Sequence, residues 1–403
     1  MEAISQRVTV FRDKDKLLPK HIPDIILHRE HHMHMLQALF EDFLKRPGRT
    51  YQGVIQILGP IGTGKTCTAY RFGLQYQRDA RSRDIPLHYI HVNCKLEAKT
   101  LFDLYQGLLK KVASGITTRG QSTGETLGTL VRCLRESGQY LLLALDDVDY
   151  LIRRTKTEEP EGGVVYDLTR LNEMHLGEYQ NVVGVLFIAR DHGFRDLLDP
   201  SERSSLGNVV IRLPSYDSDQ LRDILLDRIE EAFVYGTVED EIVEYVADLT
   251  AGNRYNPGDC RFALDILLTA GLIADAQGAN SISVEHVRRA IAETFWGISS
   301  EDLMALEGHN MAVLTSAVEA LQTLKTPYVS MKSVHEFYQV HCEEHHTQPL
   351  SYSRVKEIIG DLDTMGALDY RKDKGVSIAG ASLEDLSRVL KTLKRRKEYY
   401  AKR

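Results

Sequence analysis

The run Val54-Ile-Gln-Ile-Leu-Gly-Pro-Ile-Gly-Thr-Gly-Lys-Thr66 constrains this chain more than any other stretch. An apolar segment ends at Gly59, and Gly59 to Thr66 satisfies the pattern G-x-x-x-x-G-K-[ST]. Its glycines let the backbone turn tightly enough to aim N–H groups at phosphate oxygens. Lys65 can then reach the β- and γ-phosphates, and Thr66 can offer its hydroxyl to Mg²⁺. A helix beginning near Lys65 adds the positive end of its dipole at the same place. Gly59, Pro60, Ile61, Gly62, Thr63, Gly64, Lys65, Thr66 and Cys67 therefore form the candidate phosphate-binding segment.

A second segment, Leu141-Leu-Leu-Ala-Leu-Asp-Asp147, is an apolar strand that ends in two acids. Phosphoryl transfer places a metal-holding acid and a water-positioning acid at such a strand end. Asp146 is the expected Mg²⁺ carboxylate, acting partly through the ion's water shell. Asp147 is expected to polarise the attacking water. Further strands read Leu87–Asn93, Val182–Ala189 and Val209–Leu213, with helical patterns between most of them. Continuous Val/Ile/Leu strands alternating with helices indicate an α/β fold with a mostly parallel sheet covered on both faces. Its ligand belongs at the carboxyl ends of the strands. Arg190 ends the Val182–Ala189 strand, and Arg261 opens a later helix in Gly258-Asp-Cys-Arg261. Both are candidates for sensing a γ-phosphate.

Around this segment, residues 1–22 read as a polar arm, and Met35, Leu36, Leu39, Phe40 and Phe43 are spaced for one buried helix face. From Asp217 to about Trp296 the pattern is helical, followed by a short acidic linker, Ser299-Ser-Glu-Asp302. The last 94 residues read helix, helix, helix, hairpin, helix. Ser351 is placed as N-cap of the third helix. Val355, Ile358, Ile359, Leu362 and Met365 make its inward stripe, leaving Tyr352, Ser353, Lys356 and Gly360 outward. Ala367–Arg371 and Val376–Ile378 can pair across Lys372-Asp-Lys-Gly375, with Gly375 in the left-handed region. A small helical domain closed by a basic hairpin is the winged-helix pattern. Its third helix would enter the major groove of double-stranded DNA, with Arg371, Lys372 and Lys374 on the wing.

The 403 residues leave room for two or three domains. The net charge of −7 hides an asymmetry: residues 310–403 carry 15 Lys+Arg against 12 Asp+Glu, the remainder 35 against 45. A mildly basic end on an acidic body suits nucleic-acid contact through that end. No apolar run approaches the ~20 residues of a membrane span, so no membrane partner is expected. Five scattered cysteines with no C-x-x-C fit a reducing cytoplasm and no thiolate zinc site. The histidines at 28, 31, 32 and 34, and the His341, Cys342, His345, His346 group, read as solvated helix ends. The same holds for the basic run Lys394–Lys397.

These segments together resemble the AAA+ ATPases, and within them the archaeal origin-recognition and cell-division-control initiators of DNA replication. The resemblance rests on Ile22-Pro…His28-Arg-Glu30, Leu145-Asp-Asp-Val-Asp-Tyr-Leu151, Tyr166–Asn172, Phe194–Pro200, Ser204-Ser-Leu206, Pro214-Ser-Tyr216, Gly258–Asp265 and Ser351–Asp363 with Gly366. It covers about residues 20–380. It implies an AAA+ parallel-sheet P-loop ATPase domain over 1–213, a helical lid over 214–300 and a C-terminal winged helix over 301–403. Position by position, Lys65, Thr66 and Asp146 match the nucleotide and magnesium residues, and Arg261 matches the lid arginine called sensor 2. Ile26, Arg29 and Tyr216 fall where the family encloses adenine. A DNA-contacting insertion resembles Leu101–Glu125, with Thr118 and Arg119 in its loop. Tyr352, Ser353, Arg354 and Lys356 fall in the family's recognition helix.

Departures concern hydrolysis and assembly. The second acid is Asp147, one methylene shorter than the family's glutamate; Arg190 stands at the sensor 1 asparagine; and Asp199-Pro200-Ser201 lacks the finger-segment arginine, leaving Arg203 as the trans-acting candidate. The resemblance thus implies an ATP/ADP- and Mg²⁺-binding slow ATPase acting as a switch. It would bind origin DNA, help recruit the replicative helicase and work beside other initiator paralogues. It would be a monomer in solution that assembles on DNA, cytoplasmic and associated with the nucleoid. Two competing functions fit the same parts: a nucleotide-responsive winged-helix transcription regulator, and a helper ATPase that loads other machinery without reading sequence.

Overall fold

A computed structural model describes residues 9–49, 52–113, 115–158, 163–171, 181–253, 256–294, 303, 306, 308–378 and 380–401. Asn172, Trp296, the linker Ser299–Asp302 and the side chains of Lys394–Lys397 lie outside the described residues. The chain divides into two compact units, one of Ile22–Tyr216 with Tyr255–Cys260, the other of the N-terminal segment with Asp217–Arg254 and Arg261–Arg403. No helix among the described residues is long and apolar enough to cross a membrane.

The first unit is built on five strands: β1 (Gly53–Leu58), β2 (Leu87–Asn93), β3 (Tyr140–Asp146), β4 (Val182–Ala189) and β5 (Val210–Arg212). Their order is β2-β3-β4-β1-β5, and every pair is parallel. Alternation along β3 feeds two cores. Leu141, Leu143 and Leu145 join Tyr105, Leu130 and Phe187 on one face, whereas Leu142 and Ala144 join Phe40, Phe72 and Tyr76 on the other. That two-sided burial explains why these strands read as continuous apolar runs. Register then aligns the sheet's carboxyl end, pairing Asn93 with Asp146 and Leu58 with Ala189.

Helix α1 (Glu30–Lys45) buries Leu36, Phe40 and Phe43. Met35 and Leu39, expected on the same face, are 37% and 45% exposed, because the i, i+4, i+7 stripe is narrower than the run of apolar letters. The phosphate loop leads into α2 (Lys65–Arg81). The short α3 (Cys94–Glu97) follows β2, and α4 (Leu101–Val112) and α5 (Thr123–Glu136) lead on towards β3. Both α4 and α5 begin with reciprocal caps, Thr100 with Asp103 and Ser122 with Glu125, so their starts are set locally. Helices α6 (Val148–Glu158), α7 (Val164–Thr169) and α8 (Pro200–Leu206) complete this unit.

The second unit contains α9 (Ser218–Ala232), α10 (Asp240–Ala251), α11 (Cys260–Gln277) and α12 (Val284–Thr294), then α13 (Gly308–Leu324), α14 (Met331–Glu344) and α15 (Tyr352–Thr364). A hairpin of β6 (Asp369–Arg371) and β7 (Gly375–Ser377) precedes α16 (Leu383–Ala401). Val329 adds one antiparallel bridge to Val376, through hydrogen bonds of 2.9 and 2.8 Å. Gly375 has φ 111°, outside the left-handed helical region expected for it, because it is already part of β7. A Cβ there would lie 2.3 Å from the Val329 carbonyl oxygen, so close backbone approach is what requires glycine. Met365 is also corrected: it lies just past α15 and is 40% exposed, while Val355, Ile358, Ile359 and Leu362 are buried.

The expected polar arm is replaced over residues 9–21 by a packed segment. Val10, Phe11 and Leu17 are buried, and Phe11 stacks on Phe233 at 4.9 Å. The Val10 amide donates to Asp275 at 2.7 Å. Gly271 makes room, since a Cβ there would meet the Phe11 ring at 2.3 Å.

Candidate nucleotide and nucleic-acid sites

Gly62 and Gly64 have φ of 72° and 85°, the left-handed values that let the loop fold around a phosphate. A Cβ on Gly62 would stand 1.8 Å from an Asp259 carboxylate oxygen, and the Cys260 amide donates to the Gly62 carbonyl at 3.3 Å. The Gly258–Cys260 motif is thereby brought to the phosphate loop. The Lys65 ammonium donates to the Gly59 and Pro60 carbonyls, both at 2.7 Å. A phosphate offers stronger, charge-assisted acceptors within reach of the same group.

The two residues expected to hold Mg²⁺ meet directly: Thr66 Oγ1 donates to Asp146 Oδ2 at 2.6 Å. The Asp147 amide donates to Asp146 Oδ1 at 3.0 Å. Burial works against ionising Asp146, but the hydrogen bonds from His91 and Thr66 outweigh it and hold this carboxyl below the usual carboxylate range. A buried anionic oxygen beside a hydroxyl is the hard donor set that Mg²⁺ takes.

Asp147 has φ 52°, a conformation that aspartate tolerates better than most non-glycine residues. Its side chain lines a cavity of about 400 Å³ with Lys95, Asp149, Tyr150, Arg153, Arg190 and Phe194. The structure thus brings Asp147 and Arg190 together. Asp149 is a residue that the sequence reading passed over. Its buried Oδ1 has no hydrogen-bond partner among the described residues. Burial, then the nearby Asp147 charge, pushes its carboxyl up. The signal was present as the third acid of Asp146-Asp-Val-Asp149.

Arg29 and Tyr216 come together, but as a buried clamp. Arg29 is 1% exposed, and its guanidinium lies 3.8 Å from the Tyr216 ring centroid. It donates to the carbonyls of Thr63 at 3.0 Å, His28 at 2.9 Å and Pro214 at 2.8 Å. The clamp therefore ties the helix α1 entrance and the strand β5 exit to the phosphate loop. Ile26 is partly buried beside it, its carbonyl accepting the Arg29 amide at 3.3 Å. Ser201 sits in the first turn of α8, capped by Asp199. Arg203 donates to the Leu198 and Asp196 carbonyls at 3.0 and 3.1 Å, so its guanidinium is held by its own loop. Arg261 is exposed at the start of α11.

Of the insertion-loop pair, Arg119 points outward, whereas Thr118 is only 7% exposed and its hydroxyl accepts from Gln106 at 2.6 Å. Thr118, expected with Arg119 to approach the DNA backbone or minor groove, thus shapes the loop from inside. On α15, Ser351 accepts the Arg354 amide at 3.4 Å as N-cap. Tyr352, Ser353, Arg354 and Lys356 are all exposed. Arg354 is ion-paired with Glu357. On the wing, Lys372 is exposed, but Lys374 pairs with Asp248 of α10. Arg371 is half-buried, donates to Asp369 at 3.1 Å, and lies where a Cβ on Gly252 would meet it at 2.5 Å. Tyr245 of α10 reaches Ser377 Oγ at 3.2 Å and the Ile378 carbonyl at 3.3 Å.

Comparison with known proteins draws these parts together. Residues 48–198 match the model of an AAA domain, 222–292 a Cdc6 AAA+ ATPase-type lid domain, and 301–379 a CDC6 C-terminal winged helix domain. An ORC1-type DNA replication protein of Desulfurococcus amylolyticus is 30% identical over 359 residues, covering 89% of this chain and 87% of that one. The ORC1-type DNA replication protein 2 of Saccharolobus solfataricus is 27% identical, covering 92% and 89%. Among solved structures, Cdc6p from Pyrobaculum aerophilum superposes with a TM-score of 0.84 at 28% identity, covering 96% of this chain and 100% of that one. The Aeropyrum pernix ORC1 protein in complex with DNA gives 0.60 at 27% identity, covering 97% and 98%.

Proposed function

Because the chain belongs to the ORC1-type DNA replication proteins, the archaeal origin-recognition and cell-division-control branch of the AAA+ ATPases, we propose that it is an ATP-dependent initiator. It binds double-stranded origin DNA through the winged helix and the ATPase-domain insertion and helps recruit the replicative helicase. The domain boundaries proposed with this reading are 1–213, 214–300 and 301–403. The observation that carries it is the exposed polar face of α15, Tyr352, Ser353, Arg354 and Lys356, on a helix whose opposite face is buried. An ORC1 relative at 27% identity has been solved on DNA, which supports the same use here.

At the nucleotide site, backbone N–H groups of the loop and Lys65 take the phosphates. Thr66 and Asp146 would hold Mg²⁺, which when bound neutralises charge on the β- and γ-phosphate oxygens. Asp147 orients the attacking water, and Arg190 and Arg261 meet the γ-phosphate. A shorter acid in a left-handed backbone, an arginine where the family has a sensor asparagine and a self-bound Arg203 support slow turnover. The nucleotide is then held for long periods as a switch. We further infer a monomer that assembles on nucleoid DNA beside initiator paralogues, with Arg203 the trans-acting candidate.

The reading is tested by a genome-wide footprint of the protein with and without ATP. A few origin-like loci are expected. Many promoter sites would instead favour a transcription regulator, and no preferred sequence would favour a helper ATPase. Brisk ATP turnover by the purified protein alone would overturn the slow-switch part.

A further inference from the structure

The magnesium carboxylate has a side-chain partner on β2 that the phosphate-loop and strand-end motifs do not include. His91 Nε2 lies 3.4 Å from Asp146 Oδ2, the same oxygen that takes the Thr66 hydroxyl. The parallel register of β2 on β3 sets His91 opposite Ala144, two residues before Asp146, so the ring reaches the strand's carboxyl end. The His91 and Asp146 side chains are 11% and 5% exposed.

The ring itself is fixed from behind. Tyr89 presents its hydroxyl to His91 Nδ1 at 3.0 Å and to the Ala69 carbonyl of α2 at 2.9 Å. Tyr70 adds an edge contact to the imidazole, with centroids 5.7 Å apart. Gly73 of α2 makes the space for Tyr89, since a Cβ there would lie 2.1 Å from its ring. The order Gly73, Tyr89, His91, Asp146 therefore runs from the helix that follows the phosphate loop to the metal carboxylate. If the Tyr89 hydrogen goes to Nδ1, the neutral imidazole carries its hydrogen on Nε2. A hydrogen given to Ala69 instead would put the imidazole hydrogen on Nδ1 and turn a bare Nε2 lone pair to the carboxylate, so the contact with Asp146 selects the first arrangement. In that arrangement Nε2–H faces Asp146.

We propose that His91 is a positioning residue for the magnesium site, its Nε2–H fixing the Oδ2 of Asp146 while Tyr89 and Gly73 hold the imidazole in place. Thr66 is itself a metal-ligand candidate, so its bond to Asp146 is not independent of the ion. His91 and the Asp147 amide are the donors that stay committed to the carboxylate. Partners that orient a metal ligand typically govern about 10- to 100-fold in metal affinity.

The inference rests on the nucleotide-and-magnesium reading of the phosphate loop, and the test separates the two. ADP affinity of the full-length protein is measured by calorimetry in Mg²⁺ and in EDTA. His91→Phe is expected to lower the Mg²⁺-to-EDTA affinity ratio by about tenfold or more while leaving the EDTA value unchanged. His91→Gln, whose amide nitrogen can occupy the Nε2 position, is expected to retain the ratio. His91→Asn, which reaches only the Nδ1 position, is expected to lose it. An unchanged ratio in His91→Phe and His91→Asn, or an equal loss in Mg²⁺ and EDTA, overturns the proposal. Wild-type protein that binds ADP in neither condition would instead overturn the nucleotide reading.

Discussion

The phosphate loop and the wing both gather cations where an anionic ligand is expected, yet they are built in opposite ways. In the loop, glycine conformations dictate where groups point, and the cation Lys65 rests on its own backbone carbonyls at 2.7 Å. On the wing, the hairpin dictates little, and Lys374 and Arg371 are drawn to the acids Asp248 and Asp369. A neutral carbonyl yields readily to a phosphate. A carboxylate does not, because the displaced anion must find another partner; Asp248 is only 4% exposed. A motif defined by backbone geometry therefore predicts ligand contact more securely than one defined by charge.

The largest effect should come from Lys65→Ala, which removes charge-assisted bonds to phosphate worth about 3 kcal/mol, or roughly a hundredfold in nucleotide Kd. Calorimetric titration with ADP checks it, and near-normal affinity would break the contrast at its stronger side. Next is Arg29→Met. Three carbonyls would lose their donor, destabilising the ATPase unit by about 2 kcal/mol. A denaturant midpoint that does not move would show that the clamp is dispensable.

On the DNA side, Lys356→Ala and Lys372→Ala should each lower the slope of log affinity against log salt by about 0.9, the value of one phosphate contact. Fluorescence anisotropy over a salt series reads this directly. The smallest effect is expected from Lys374→Ala and Arg371→Ala, with slope changes well below that of Lys372→Ala, since their charge is already spent on the protein. Equal slopes for all three wing cations would show that DNA strips Lys374 from Asp248 and would erase the difference between the two regions.

The same contrast explains what could be read in advance. The phosphate loop, the strand-end acids and the five strands follow from glycine spacing and unbroken apolar runs, which depend on neighbours in sequence. The Ser351 cap and the stripe Val355, Ile358, Ile359, Leu362 are equally local. What stayed hidden depends on distant partners. Arg29 reaches Pro214, 185 positions away, and His91 reaches Asp146 across 55. Val10-Phe11 was hidden by the polar and charged letters around it. The inward turn of Thr118 was hidden because composition says that a loop is polar but not which hydroxyl turns back to a helix.

The seating of Phe11 on Phe233 and Gly271 has a consequence for how the chain is made. The segment that completes the second unit precedes the ATPase unit, and the helices receiving it follow that unit. During synthesis the early segment has to wait through some 200 residues before its site exists, while the parallel sheet already has all of its strands. Domains tend to fold in the order in which they emerge. The nucleotide-binding half would thus mature first, and the clasp of Phe11 would be among the last contacts to close.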